Sequence, residues 1–129
     1  MGFSNILTEF DRADETRIDC GSFGIVLRPM NMANPEYRKA VLSVARGKKN
    51  SVAKKDGLLG GTLEEDIQIF CKTVVVGWDG VKDDDGKVVP FSVSACFEML
   101  NSKAGRGLYL KLADAAAQDD TFKMEIEGN

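Results

Sequence analysis

The sequence predicts an α+β domain, mainly helical, in which an N-terminal β-hairpin precedes a helical body that bends at a Trp-containing turn. Three observations predict it. Residues 16–28 alternate apolar and polar with a period of two, the pattern of half-buried strands. Asn34-Pro35-Glu36 and Thr62-Leu63-Glu64-Glu65 are helix starts, each followed by apolar residues at helical spacing. Between Val74 and Ser92 lie the only tryptophan, Trp78, the densest acidic run and a turn-to-helix signal. With 129 residues and 43% apolar content, the chain is long enough for one domain around one core, residues 1–129.

Within residues 1–15, Phe3, Ile6, Leu7 and Phe10 form an i, i+3, i+4, i+7 stripe, with Ser4 or Asn5 as caps, which predicts a short helix. The period then changes to two. Ile18 and Cys20 lead into Gly21-Ser22, a Gly-first two-residue turn, and Phe23, Ile25 and Leu27 return, so residues 16–28 are expected to form a hairpin. Asn34 can accept orphan amide protons, Pro35 fits the first helical position and Glu36 complements the positive end of the helix dipole. A helix over 34–46 follows, with Tyr37, Ala40, Val41 and Val44 on one face and Gly47 as its stop. Residues 47–61, with Lys48, Lys49, Lys54 and Lys55 among small residues and Gly57, Gly60 and Gly61 after them, read as a mobile basic loop.

Residues 62–129 are expected to be the helical part, interrupted by a hinge at 77–92. Thr62 and Glu65 form a capping box, and Leu63, Ile67, Phe70, Cys71 and Val74 make one face, which marks the core helix. Its β-branched end, Thr73-Val74-Val75-Val76, favours a crossing into extended chain. In the hinge, Asp85-Gly86 signals a two-residue hairpin turn with Val81 and Val88-Val89 as its arms, and Trp78 is expected as the buried pin of the corner. Pro90 pushes Val89 into extended backbone, and Ser92 can cap a helix using Val93, Cys96, Phe97 and Leu100 and ending near Asn101. Gly105 and Gly107 break the pattern before another helix with Leu108, Leu112, Ala115 and Ala116. Phe122, Met124 and Ile126 fit a strand by alternation, while Phe122 and Ile126 also fit a helical face.

No catalytic, cofactor-binding or metal-ligating residue is assigned. Asp83-Asp84-Asp85-Gly86 looks like the middle of a calcium loop, but with Gly86 at loop position 6 the first and last ligand positions fall on Val81 and Ser92, where an aspartate and a bidentate glutamate are needed. There is no histidine, and Cys20, Cys71 and Cys96 are far apart among apolar neighbours, so zinc has no ligand set and the thiols are expected reduced and buried. Gly57-Leu58-Leu59-Gly60-Gly61 lacks the Lys-Ser/Thr ending of a phosphate loop, and the basic loop carries no aromatic to stack a base, so nucleic acid is not an expected partner. Gly2 is followed by Ile6 where a myristoylation signal prefers Ser or Thr. No apolar run approaches the roughly 20 residues of a membrane span, the mean hydropathy is -0.18, and the N-terminus lacks a secretory pattern, so the expected location is the cytoplasm. Without histidine, a nucleophile elbow or carboxylates outside solvated turns, the chain is not expected to be an enzyme.

Charge is divided between the halves. Residues 1–55 carry ten Lys/Arg and six Asp/Glu, net +4, whereas residues 56–129 carry seven and fourteen, net -7. Opposite charge on successive copies would favour head-to-tail assembly.

Val76-Gly77-Trp78-Asp79-Gly80, the acidic turn Asp83–Gly86, and Val89-Pro90-Phe91-Ser92 before an apolar helix resemble small tail assembly chaperones and related minor tail proteins of long-tailed bacteriophages. The resemblance covers 60–129 in motifs and 16–47 in layout. It implies a non-enzymatic protein of the host cytoplasm that coats the long, aggregation-prone tape-measure protein until the tail tube polymerises around it. The implied partners are the tape-measure protein, the tail tube protein and further copies of the chain. The alternative within the same resemblance is a structural tail or neck subunit retained in the virion. Particles that contain the chain in many copies would indicate the subunit, and particles without it the chaperone.

Overall fold

The computed structural model describes residues 2–47 and 61–123. The basic loop expected at 47–61 falls almost entirely outside the described residues, as do Met124 and Ile126. The remainder is an α+β fold: helices α1 (Ser4–Leu7), α2 (Pro35–Gly47), α3 (Leu63–Thr73), α4 (Val93–Leu100) and α5 (Lys103–Ala117), with strands β1 (Thr16–Asp19), β2 (Gly24–Leu27) and β3 (Val75–Asp79).

The hairpin forms as its alternation dictates. β1 and β2 pair antiparallel with Ile18 opposite Ile25, and the Cys20 amide donates to the Phe23 carbonyl at 2.8 Å across Gly21-Ser22. Gly21 has φ +96°, as a Gly-first turn requires. β2 is the central strand, because β3 pairs antiparallel with its other edge. β3 corrects the expectation of a hinge beginning at residue 77. Gly77, Trp78 and Asp79 are strand residues, drawn into the sheet by pairing with Val26, Ile25 and Gly24. The β-branched run at 73–76 does cross into extended chain. Val76 has no register partner, because Val75 pairs with Leu27 and Gly77 with Val26, which makes a bulge.

One sheet face and three helices enclose the core. Ile25 and Leu27 from β2 meet Ile67, Phe70 and Cys71 from α3, Cys96 and Leu100 from α4, and Leu112 from α5, with Ile18 and Trp78 packed at the margin. The capping box at Thr62 and Glu65 is complete in both directions, and the face expected of the core helix is buried apart from the half-buried Leu63. Asn34, only 4% exposed, accepts from the Tyr37 amide at 3.2 Å and donates to the carbonyls of Pro29 at 2.9 Å and Thr73 at 2.8 Å. It therefore caps α2 and also ties it to the end of α3. Tyr37, Ala40, Val41 and Val44 are half-buried on the α2 face, and Gly47 is the last helical residue rather than the residue beyond the end.

Three further expectations are corrected. Gly105 and Gly107 do not break the chain; both lie inside α5, which Ser102 caps by accepting from the Gly105 amide at 3.0 Å. Gly105 is required by proximity: a methyl group there would collide with the Met99 carbonyl oxygen at the end of α4. The core face of α5 is consequently Gly105, Tyr109, Leu112, Ala113 and Ala116, not the face through Leu108 and Ala115. The N-terminal stripe does not enter the core. α1 spans four residues, continues as a 3-10 turn Thr8–Phe10 and has no side-chain cap at Phe3; Phe3, Ile6, Leu7 and Phe10 are all exposed. Phe122 resolves its ambiguity within a 3-10 turn, Asp119–Phe122, where it is buried.

Candidate functional site

The corner from β3 to α4 carries the features that set this sequence apart, and its geometry shows what each residue does. Gly80, at φ +75°, turns the chain out of β3, and a Cβ there would stand 2.8 Å from the Ser22 carbonyl oxygen. The corner is thereby seated against the hairpin turn. Val81 is buried next, and its carbonyl accepts from the Val89 amide at 2.8 Å, so the arms expected around the acidic turn do pair.

The turn itself differs from the expected two-residue form. The Gly86 amide donates to the Asp83 carbonyl at 3.0 Å and the Asp83 amide to the Lys87 carbonyl at 2.9 Å, which leaves a three-residue loop, Asp84-Asp85-Gly86, with Gly86 at φ +79°. This is a type I turn with a glycine bulge. The Asp83 carboxylate favours it by accepting from the amides of Asp85 and Lys87, each at 2.9 Å. One carboxylate of the acidic run is thus committed to holding its own turn. Among the described residues no group of three or more His, Cys, Asp or Glu is arranged to hold a metal ion.

Trp78 is a half-buried staple rather than a fully buried pin. Its indole Nε1 donates to the Val89 carbonyl at 2.8 Å, and its ring meets Phe91 edge-on at 5.2 Å. Trp78 faces the core side of β3 opposite Ile25, so one side chain connects the sheet, the returning arm and the entry to α4. Ser92 completes the corner by accepting from the Ala95 amide at 3.0 Å, as expected of a cap. Trp78, Gly80, Asp83, Gly86 and Ser92 thus each have an architectural task. On the outer face of the sheet, Arg17 reaches across Gly24 to Asp79 with two hydrogen bonds of 2.8 Å, and the guanidinium holds the Asp79 carboxyl below its ordinary range. Nothing in the sequence pattern marked that pair, because its partners are 62 residues apart.

Cys71 and Cys96 are buried and Cys20 is half-buried, and all three are free. Hydrogen bonding to Cys71 and burial push the Cys96 thiol up, away from the reactive thiolate. No helix among the described residues is long and apolar enough to cross a membrane. Among the described residues, the large apolar side chains most open to solvent are Phe3, Ile6 and Phe10 at the N-terminus and Val88 in the corner, each more than 60% exposed.

The architecture and its corner define a small α+β protein organised around a Trp-centred turn. The family model described as YdaY prophage protein matches residues 32–128, from the start of α2 through α5 and beyond. The chain belongs to that family and is of phage origin. No curated protein and no solved structure matches it.

Proposed function

We propose that the chain is a tail assembly chaperone, a non-enzymatic protein of the host cytoplasm that binds the tape-measure protein and keeps it soluble during tail morphogenesis. The observation that carries this reading is the segment Val76–Ser92. Its resemblance to tail assembly chaperones extends over the Trp turn, the acidic glycine turn and the Pro-Phe-Ser helix entry, in a chain of prophage origin.

The physical requirements of the task agree with the molecule. A chaperone for a helical client needs apolar surface outside its own core, and the described residues leave Phe3, Ile6, Leu7 and Phe10 uncovered. A single 14.1 kDa domain covers only a short part of an extended helix, so several copies act along one client. The opposed charges of the two halves favour ordered contacts between those copies. The tail tube protein, which displaces the chaperone as it polymerises, is the second partner. Mass spectrometry of purified particles tests the reading against a retained tail or neck subunit: the proposal expects the chain to be absent from particles, and many copies per particle would sink it.

A further inference from the structure

We propose that β1 is a pairing edge: two copies of the chain join antiparallel about a two-fold axis at Ile18, with Arg17 of each opposite Asp19 of the other, and their sheets become one. This rests on the sheet alone and holds whether or not the tape-measure protein is the client.

The edge is open. β2 takes one side of β1, and no strand among the described residues takes the other. The Cys20 amide donates to the Phe23 carbonyl where the hairpin closes, so by antiparallel alternation Cys20, Ile18 and Thr16 aim their backbone groups at β2. Arg17 and Asp19 aim theirs out of the sheet, and no backbone bond among the described residues takes them up. α5 stands off from this side, since a groove of about 450 Å³ separates Ile18, Asp19 and Cys20 from Leu108, Lys111 and Leu112.

A bare edge is not by itself a contact, because short strands and charged side chains deter pairing. Here the charges select one register. Two copies of one strand meet about a two-fold axis, and the outward-facing residues, Glu15, Arg17 and Asp19, must fall opposite one another for their backbone groups to bond. With the axis at Arg17, each Asp19 faces Glu15 of the other copy. With the axis at Asp19, the two Asp19 carboxylates face each other. Like charges directly opposite destabilise a strand pair. With the axis at Thr16, Asp19 needs a partner beyond Asp14, where the chain bends out of the strand. With the axis at Ile18, both facing pairs are opposite in sign, their backbone groups bond reciprocally, and the two half-buried Ile18 side chains meet at the centre.

The occupant follows from the same reading. The strand that complements Arg17-Ile18-Asp19 in antiparallel pairing runs Arg, apolar, Asp, which is β1 itself. The side chains have capacity for the contact. Arg17 gives two of its five N–H donors to Asp79, and the Gly21 amide takes one carboxylate oxygen of Asp19, at 2.9 Å. Both residues are exposed.

Sedimentation velocity on the full chain tests the proposal. Wild type is expected to form a weak dimer, populated at about 1 mM, since one strand pair is a small interface. Asp19→Lys and Arg17→Glu should each raise the dimer Kd at least about tenfold, because each sets two like-charged pairs across the axis. An equimolar mixture of the two variants should associate again: the new lysine of one stands opposite the new glutamate of the other, and the retained Arg17 opposite the retained Asp19. Arg17→Glu also faces Asp79 with like charge and can unfold the chain, so Ile18→Cys supplies a second reading. Across a non-hydrogen-bonded pair the Cα atoms stand about 4.5 Å apart, within disulfide reach, whereas Cys20 falls opposite Thr16. With oxidised glutathione, which is reduced to two thiols as the protein disulfide forms, Ile18→Cys is expected to give a covalent dimer joined at that position, and wild type none. A wild-type chain that stays monomeric at millimolar concentration overturns the proposal, including one whose edge pairs only with a client strand. So do single variants that dimerise like wild type, a mixture of folded variants no tighter than either alone, or an Ile18→Cys protein that yields no covalent dimer.

Discussion

Phe70 is the largest fully buried side chain, and it meets the Tyr109 ring edge-on at 5.2 Å. Phe70→Ala is expected to cost about 3–5 kcal/mol, through lost burial and the cavity left behind. Since a domain of this size has on the order of 5–15 kcal/mol in total, the variant should melt far below wild type in a thermal scan read by circular dichroism. Tyr109 gives a second residue-level test, in pH. Burial first, and the nearby Asp66 second, push its phenol up to about 12, from an ordinary value of about 10. The unfolded chain ionises first as pH rises, so stability that is fully present below about pH 10 is lost as pH climbs towards about 12. Denaturant melts across that range should show the loss, and Tyr109→Phe should diminish it. At this scale the sequence was informative where a residue acts on its near neighbours. Asn34 and Ser92 as caps, and Phe70 as core, follow from spacing alone. It was silent where the partner is distant: the second and third bonds of Asn34, the Arg17–Asp79 pair and the edge contact of Tyr109 arise only when the chain has folded.

At the scale of elements, the two glycines of α5 should respond in opposite directions. Gly105 faces the Met99 carbonyl with no room for a methyl group, while Gly107 has nothing within 4 Å. Gly107→Ala is therefore expected to stabilise by roughly 0.5–1 kcal/mol, the ordinary gain in a helix interior, whereas Gly105→Ala should destabilise by forcing α4 and α5 apart. Paired urea melts check both signs. The same glycines explain why the start of α5 was not legible: propensity reads two glycines as a break, and the tertiary approach of α4 overrides it. β3 was partly legible for a related reason. The β-branched residues 74–76 signal extended chain, but Gly77 carries no strand preference, and only pairing with Val26 keeps it in the sheet. For α1 the periodic pattern was real and its burial was not, because a short amphipathic segment has the same spacing whether its partner is its own core or another surface.

For the whole molecule, the +4 and -7 halves predict assembly that depends on ionic strength. Light scattering should show oligomers at about 0.1 M salt that shrink at about 1 M, as the screening length falls from about 10 Å to about 3 Å. In the corner from Gly77 to Ser92, Trp78, Asp83 and Ser92 serve as a staple, a turn and a cap. The chaperone reading is tested most directly by the soluble fraction of the tape-measure protein, expressed alone and together with this chain. The account predicts aggregation in the first case and recovery in the supernatant, as a complex with this chain, in the second. A tape-measure protein that stays soluble unaided, or that aggregates equally in both, would contradict it.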